Sequence, residues 1–218
     1  VWNDAIADEV LRKEDAVDHY EDVLGTYLVK LSAKHLSGED NRTINTLLHT
    51  IGDFERVSDH AVNILESAEE LRGKGIEFSE TAQQELQVLG EALREIMDYA
   101  YRSFTAVDAQ TARRIEPVEE VVDDMVATLR TNHIRRLRDG QCTVYAGLVF
   151  LDILINAERI ADQCSNLGVY TISQFDPSVM NSHHEYIHRL HQGNDPVFNR
   201  EYQEKHEKYF GMLSAIND

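Results

Sequence analysis

The sequence predicts an all-α protein of two tandem three-helix bundles, built from six long antiparallel helices. Apolar residues recur three and four positions apart along most of the chain, which is the spacing of one helix face. Only three prolines occur in 218 residues, so few points interrupt a helix. Short clusters rich in Gly, Asn and Asp separate the periodic stretches, and such short turns favour antiparallel neighbours.

The first half of the chain contains three periodic stretches. A helix over 4–36 ends at the Ser-Gly-Glu-Asp-Asn cluster at 37–41. A second helix over 41–72 ends at the Gly-Lys-Gly turn at 73–75. The third predicted helix, over 79–105, follows that turn.

The second half repeats this order. A helix over 107–138 ends at the Asp-Gly pair at 139–140, and a helix over 142–172 ends at the Gln-Phe-Asp-Pro turn at 174–177. The last predicted helix covers 183–212. No strand-type alternation is apparent, so we expect no sheet.

Two motifs indicate an internal duplication. The pattern Glu-Arg-x-x-Asp-x-x-x-Asn begins at Glu55 and again at Glu158, a separation of 158 − 55 = 103 residues. A Glu-x-x-x-Asp pair begins at Glu14 and again at Glu119, a separation of 119 − 14 = 105 residues. We therefore expect one three-helix repeat at 1–106 and a second at 107–218, whose last helix diverges.

The duplicated motifs contain pairs of carboxylates four residues apart. This spacing puts both carboxylates on one helix face, where like charges destabilise a helix by about 0.2–0.5 kcal/mol. An arbitrary acidic pair is usually a solvated surface, but these pairs continue apolar stripes. The pairs are Glu14/Asp18, Glu55/Asp59, Glu119/Asp123 and Glu158/Asp162.

The stripes predict that the carboxylates are buried. Ile44, Leu48 and Ile51 lead at helical spacing to Glu55 and Asp59. The stripe in the second half runs Val144, Leu148, Leu151, Ile155, Glu158, Asp162 and Ser165. An uncompensated buried carboxylate costs several kcal/mol, so we predict that all eight are metal ligands. Oxygen ligands suit Mg²⁺, Ca²⁺, Mn²⁺ or iron, and the identity of the metal stays open.

Residues next to these pairs are weaker candidates for contacts around the metal. Arg56 and Arg159 could balance part of the charge, which leaves a purely structural network of Arg and carboxylates as an alternative. The outer candidates are Asp53, Arg56, His60, Asn63, Asn156, Arg159, Gln163 and Asn166. No residue is predicted to be catalytic or to bind an organic cofactor.

A His-Glu-x-x-His string at His184–His188 offers a competing function. On a helix this spacing can present two zinc ligands and a general base of a metallopeptidase. His191, Glu204 or Glu207 could supply a third ligand. Because the expected fold has no strand to hold a substrate, we predict that the chain is not an enzyme.

Composition limits the partners. The net charge of −18 disfavours nucleic acid and favours cations. Cys142 and Cys164 are too few for a disulfide framework, which indicates a reducing compartment. We expect no membrane-spanning helix, because no run of about 18 apolar residues occurs, and no signal peptide is visible.

The duplicated unit with its Glu-Arg-[Val/Ile]-x-Asp motifs resembles the PhoU family of phosphate-transport regulators. The most specific match is LHTIGDFERVSDHAVNILESAEEL, which begins at Leu48 with Leu47 before it and ends at Leu71. In that family such motifs line metal-binding surfaces, which implies the same role for the four pairs here. The resemblance covers about 4–213.

The tail HEYIHRLHQGNDPVFNREYQEKHEKYFGML is similar to the end of bacterial sodium/phosphate cotransporters, which carry a PhoU-like domain after their membrane helices. The resemblance implies a non-catalytic regulatory domain on the cytoplasmic face of the inner membrane. Its expected partner is the membrane part of its own transporter, and a homodimer is a second option. A purely structural helical module remains an alternative.

Overall fold

The computed structural model describes residues 2–181 and 183–217, and all regular structure within these ranges is helical. This confirms the predicted all-α class. None of the described helices is both long and apolar enough to cross a membrane. In chain order the helices are α1 (Asp4–Ser32), α2 (Gly38–Gly73), α3 (Glu80–Ala106), α4 (Ala109–Ala112), α5 (Ile115–Arg138), α6 (Val144–Ser173), α7 (Pro177–Asn181), α8 (His183–Arg189) and α9 (Pro196–Asn217), with a π-helical turn at Leu190–Asn194.

Side-chain caps determine where the long helices begin. Asn3, Ser37, Ser79 and Thr143 each accept a hydrogen bond from a first-turn amide, in α1, α2, α3 and α6 respectively. Ser37 and Asp40 form a reciprocal capping box. Each cap satisfies one of the amides that a helix start leaves without an intrahelical partner.

Two helical hairpins and two covering helices make up the fold. The hairpin of α1 and α2 corresponds to the hairpin of α5 and α6, and α2 packs along α6. α3 packs on α5 and α6, and α9 packs on α5 and α3, so these four helices form a bundle. Its core contains Ile96, Leu129, Phe150 and Tyr209, one from each helix, and all four side chains are fully buried.

The packing of α3 bears on the predicted repeat boundary. α3 lies mainly against α5, α6 and α9, although Phe54 of α2 also contacts Phe104 of α3. α1 packs chiefly on α2 and exposes Tyr20, Val23 and Tyr27 on its outer face. The division into repeats at 1–106 and 107–218 stays a prediction.

Two predicted helices are wrong as continuous elements. The helix expected over 107–138 is interrupted, because Val107 takes a left-handed conformation (φ 52°) and α4 stops before α5 begins. The helix expected over 183–212 is broken at Gly193, where φ is 74°, and restarts at Pro196. Gly reaches positive φ without steric cost, and Pro fits a first helical turn.

The predicted burial of the second apolar stripe is also wrong. Val144, Leu148 and Ile155 are 66%, 58% and 45% exposed, whereas Leu154 and Ala157 on another face of α6 lie in the core. α6 carries apolar residues on more than one face, so spacing alone does not identify the face that the bundle buries. The stripe of α2 agrees better, because Ile44 is buried.

Candidate metal centres

The α5–α6 hairpin gathers the carboxylates of the second repeat. Glu119 and Asp123 lie on α5, and Glu158 and Asp162 lie on α6. Asp162 shares a hydrogen bond with Glu119. The negative charges of Glu158 and Asp162 act on Asp123. The four carboxylates predicted for this half therefore lie in one group, which we call the α5–α6 cluster.

This cluster is poorly compensated. Glu119 is only 7% exposed, and burial, followed by the charge of Glu116, raises its pKa far above the usual range. Burial and then the charge of Glu158 raise the pKa of Asp123 to about 7. Asp123 Oδ1 is buried and has no hydrogen-bond partner. A cation is the group that would satisfy these oxygens.

Two arginines neutralise only the α6 side. Arg159 Nη1 lies 3.2 Å from Asp162 Oδ2, and Arg130 Nη2 lies 3.8 Å from Glu158 Oε2. No Lys, Arg or His whose side chain the structure describes forms an ion pair with Glu119 or Asp123. A purely structural Arg–carboxylate network therefore leaves the α5 side unbalanced.

The cluster extends to residues that the sequence did not predict. His191 Nε2 lies 2.8 Å from Glu116 Oε1, and His191 Nδ1 lies 3.1 Å from Glu120 Oε2. Ser165 Oγ donates a hydrogen bond to Glu116. One potential ligand atom each of Glu116, Glu119 and His191 lies within 4.8 Å of the others. These atoms could bind a metal through two oxygens and one nitrogen.

The α1–α2 hairpin holds the corresponding group, which we call the α1–α2 cluster. Potential ligand atoms of Glu14, Asp18 and Asp59 lie within 4.8 Å of one another. Partial burial and then the charge of Asp59 raise the pKa of Glu55, so Glu55 belongs to the same group. Asp18 is exposed, which makes this cluster more open than its counterpart. No ion pair joins these four carboxylates to a described basic side chain.

Three of the weaker candidates lie between the hairpins. His60 Nδ1 and Asn156 Oδ1 are 2.9 Å apart, and Asn63 Nδ2 donates to the same oxygen at 3.1 Å. Because His60 and Asn63 belong to α2 and Asn156 to α6, these side chains bridge the two hairpins. Among these weaker candidates, Arg159 is the one described residue that forms an ion pair with a cluster carboxylate, Asp162.

Asp53 occupies a separate buried position. It is 3% exposed, and Arg56 Nη1 lies 3.5 Å from its Oδ1. Burial raises the pKa of Asp53, while hydrogen bonds from Tyr170 and Asn166 oppose that shift. Asn166 Nδ2 also lies 3.5 Å from Gln163 Oε1. Arg56 and Asn166 therefore interact with Asp53. Their predicted contact with a metal stays a prediction.

The His-Glu-x-x-His string lies on α8. Glu185 and His188 are exposed, and His188 Nδ1 contacts the side-chain amide of Gln192 at 3.1 Å. The side chain of His184 lies outside the described residues. His191, considered as a third zinc ligand, points instead to Glu116 and Glu120.

A family model described as the PhoU domain matches residues 3–68 and 86–171. The second match begins inside α3 and ends inside α6. Two matches in one chain confirm the predicted duplication.

Two curated relatives are likewise described as PhoU proteins. The phosphate-specific transport system accessory protein PhoU homolog 1 of Thermotoga maritima is 27% identical over 166 residues, which cover 76% of this chain and 71% of that protein. The PhoU homolog of Clostridium acetobutylicum is 22% identical over 169 residues, covering 77% and 76%. Both are described as accessory proteins, which agrees with the prediction of a non-catalytic chain.

Two crystal structures share the fold. The phosphate transport system regulatory protein PhoU of Streptococcus pneumoniae superposes with a TM-score of 0.68 at 21% identity, covering 79% of this chain and 80% of that one. PhoU of Pseudomonas aeruginosa gives a TM-score of 0.71 at 22% identity, with coverage of 78% and 80%.

Proposed function

Because the chain belongs to the PhoU domain family, we propose that it is a non-catalytic regulator of phosphate transport that binds metal ions at its two carboxylate clusters. One observation carries this proposal. Carboxylates at corresponding positions of the two repeats gather on corresponding hairpins, and in the α5–α6 cluster Asp123 Oδ1 is buried without a partner.

The ligand types indicate a hard or borderline cation. Carboxylate oxygens suit Mg²⁺, Ca²⁺, Mn²⁺ or iron, and the imidazole of His191 adds a nitrogen only at the α5–α6 cluster. The two clusters therefore differ in ligand set and in exposure. We expect the α5–α6 cluster to bind more tightly and to prefer transition metals.

The proposed regulation acts through helix packing. A cation at the α5–α6 cluster would attract the carboxylates of both helices, whereas the empty cluster repels them. α2 lies along α6, and Asn156 bridges to His60 and Asn63. Metal occupancy in one hairpin would thereby influence the position of the other.

Metal analysis with thermal melts tests the metal site. Ligands that bind only the folded state raise the melting temperature, so Mn²⁺ or Fe²⁺ should raise it and a chelator should lower it. Asp123→Asn should reduce metal uptake, whereas Asp152→Asn, an exposed carboxylate on α6, should not. Absence of bound metal together with unchanged melts would leave only a structural module.

We further propose that the chain works as the cytoplasmic regulatory part of a sodium-dependent phosphate cotransporter at the inner membrane. The segment at 184–213 supports this, since its sequence resembles the end of such transporters and it lies beyond the family match, which ends at residue 171. Detection of the natural protein with an antibody against α9 is the test. A membrane-bound band well above 24.9 kDa is expected, and a soluble band near 24.9 kDa would contradict the transporter context.

A further inference from the structure

The outer face of α1 carries an apolar stripe in the second half of the helix. Tyr20, Val23, Leu24 and Tyr27 follow one another at helical spacing, so they share one face. Tyr20 is 63% exposed and Leu24 is 43% exposed, because α1 packs chiefly on α2 through its other side. Scattered apolar residues are normal on a protein surface, but a contiguous apolar patch is typical of an interaction site.

The internal duplication shows what the same face does in the second half of the chain. The offset of 105 residues that relates the Glu-x-x-x-Asp pairs of α1 and α5 also relates Tyr20 to Met125. The same offset relates Leu24 to Leu129. Met125 and Leu129 are both 0% exposed. One helix face is therefore exposed in α1 and fully buried at the corresponding positions of α5.

α3 accounts for this difference. Met125 and Leu129 belong to the hydrophobic core that the apolar side chains of α3 share with α5 and α6. Asn132, the counterpart of the exposed Tyr27, donates a hydrogen bond at 2.9 Å to Glu85 of α3. The side of α5 that corresponds to the exposed stripe of α1 is thus the side on which α3 packs.

The adjoining face of α2 agrees with α1. The offset of 103 residues between the Glu-Arg motifs relates Leu47 of α2 to Phe150 of α6. The same offset relates Ala61 to Cys164. Phe150 is 0% exposed and packs edge-on against Phe78, just before α3, and Cys164 is 2% exposed. Leu47 and Ala61 are only partly buried, and Leu47 borders a cavity of about 740 Å³.

Chain order indicates which helix would close this face. The second family match begins at residue 86, inside α3, and continues through α5 into α6, whereas the first match, at 3–68, contains only α1 and most of α2. α3 leads into α5 through the short connection at 107–114. Since consecutive helices usually pack as neighbours, the same order in the first unit places a covering helix directly ahead of α1.

We propose that the natural polypeptide carries a helix ahead of α1 that packs on α1 and α2 as α3 packs on α5 and α6. One side of this helix is apolar, because it covers Tyr20, Leu24 and Leu47. Acidic side chains outnumber basic ones in α1, so Lys and Arg at the rims of the helix would complement them. A second copy of α1 fits less well, because the acidic side chains of two such helices would repel each other. Neither the metal centres nor the transporter context is needed for this packing.

Hydroxyl-radical footprinting with mass spectrometry tests the coverage without a substitution. The protein encoded by the complete natural gene is compared with the 218-residue chain. Tyr20 and Tyr27 should be oxidised several-fold more slowly in the natural protein. Tyr101 on α3, which is also 63% exposed, is the matched control and should react equally in both.

Two results of this comparison would overturn the proposal. One is equal oxidation of Tyr20 in the two proteins after normalisation to Tyr101. The other is a natural reading frame without an amphipathic helical segment ahead of residue 1.

A charge placed on the apolar stripe gives a second readout. Leu24→Glu should leave the melting temperature of the 218-residue chain nearly unchanged and lower that of the natural protein by several degrees, because burying an unpaired carboxylate is unfavourable. Leu148→Glu, at a 58% exposed position of α6, is the matched control and should change neither protein. An equal effect of Leu24→Glu on the two proteins would refute the covering helix.

Light scattering of the natural protein distinguishes the proposed helix from a second copy of the chain. The molecular mass of the natural protein should be the same with and without Leu24→Glu. Dissociation of a dimer by this change would show that a second copy covers the face, and the proposal would then be wrong.

Discussion

At the scale of single residues, Glu119 of the α5–α6 cluster lowers the stability of the fold but suits metal binding. Burial and then the charge of Glu116 oppose ionisation of Glu119 and raise its pKa, so this carboxyl lowers stability at neutral pH. A protein without a role for such a group would gain stability from an apolar or neutral residue there. The retained carboxylate is therefore consistent with the proposed metal site.

Glu119→Gln tests this directly. Burial raises the pKa of Glu119, so at neutral pH ionisation of this carboxyl favours the unfolded chain. Gln does not ionise, so the change should raise the melting temperature of the chelated protein by about 2–8 °C, the shift that about 1–2 kcal/mol gives a domain of this size. The same change should lower metal uptake. Calorimetry and elemental analysis measure the two effects. Glu66→Gln, exposed on α2, is the matched control and should change neither.

If Glu119→Gln lowers the melting temperature of the chelated protein, the carboxylate belongs to a stabilising network that does not need a metal.

At the scale of elements, the contacts of α6 and α9 decide how the bundle closes. Gly168 lets α6 approach α4 and α5, because an added Cβ would lie 2.9 Å from Ile115 Cδ1 and 3.3 Å from the carbonyl oxygen of Ala112. α9 is anchored through Glu95 of α3, which accepts hydrogen bonds from Lys205 at 2.8 Å and Lys208 at 2.9 Å.

Gly168→Ala should destabilise the protein by about 1–3 kcal/mol, because the methyl group overpacks the crossing of α6 with α5. Gly211→Ala on α9 is the control. Nothing lies within 4 Å of its added Cβ, so the better helix propensity of Ala should stabilise it by up to about 1 kcal/mol. Urea denaturation measures both, and equal effects of the two changes would refute the close crossing.

Glu95→Gln should lower stability at neutral pH by about 1–3 kcal/mol. Burial raises the pKa of Glu95, but hydrogen bonds from Lys205, Tyr209 and Lys208 outweigh burial and lower it to about 2. A depressed folded-state pKa stabilises the fold above the unfolded pKa of about 4.3, and that contribution is lost as the pH falls towards 2.

Urea denaturation of the wild type and of Glu95→Gln at pH 7 and pH 3 measures this effect. The difference in the free energy of unfolding between the two proteins should be larger at pH 7. Glu91→Gln, exposed one turn earlier on α3, serves as the control. A difference that is independent of pH would contradict the ionic role of Glu95.

In the whole molecule, other helices cover the α5–α6 hairpin more completely than the α1–α2 hairpin. α3 packs on both α5 and α6, and α9 packs on α5, whereas α1 packs chiefly on α2. The tail is part of this core although the family match ends at residue 171, since Tyr209 is 0% and Leu213 3% exposed. His191, which belongs to the tail, contacts Glu116, so the tail also contributes to a candidate metal centre.

A chain that ends at Gln174 should lose cooperative thermal unfolding, because the bundle of α3, α5 and α6 would expose the surface that Tyr209 and Leu213 cover. Circular dichroism during heating measures this. A control chain that ends at Leu213 retains both residues and should melt as the full chain does. Cooperative melting of the shorter chain at the full-length temperature would show that the tail is dispensable.

The limits of sequence-based prediction follow from which interactions are local. Each of the six predicted helices begins or ends close to an observed one, because caps such as Ser37 and turns such as Gly140 act on neighbouring residues. The carboxylate groups were predictable because spacing and duplication are local too. Glu116 and His191 were not recognised as partners, since 75 residues separate them and no spacing relates them.

The sequence by itself determined the helical class, the duplication and the eight carboxylates that share helix faces, because periodicity and repeated motifs are properties of the chain. Only the tertiary structure decided that Val144 and Leu148 face outward, that α3 packs with the second hairpin, and that Tyr20 of α1 stays exposed although its counterpart Met125 is buried. Those outcomes depend on which apolar face of each helix finds a partner, and helices with more than one apolar face leave that choice to the packing of the whole bundle.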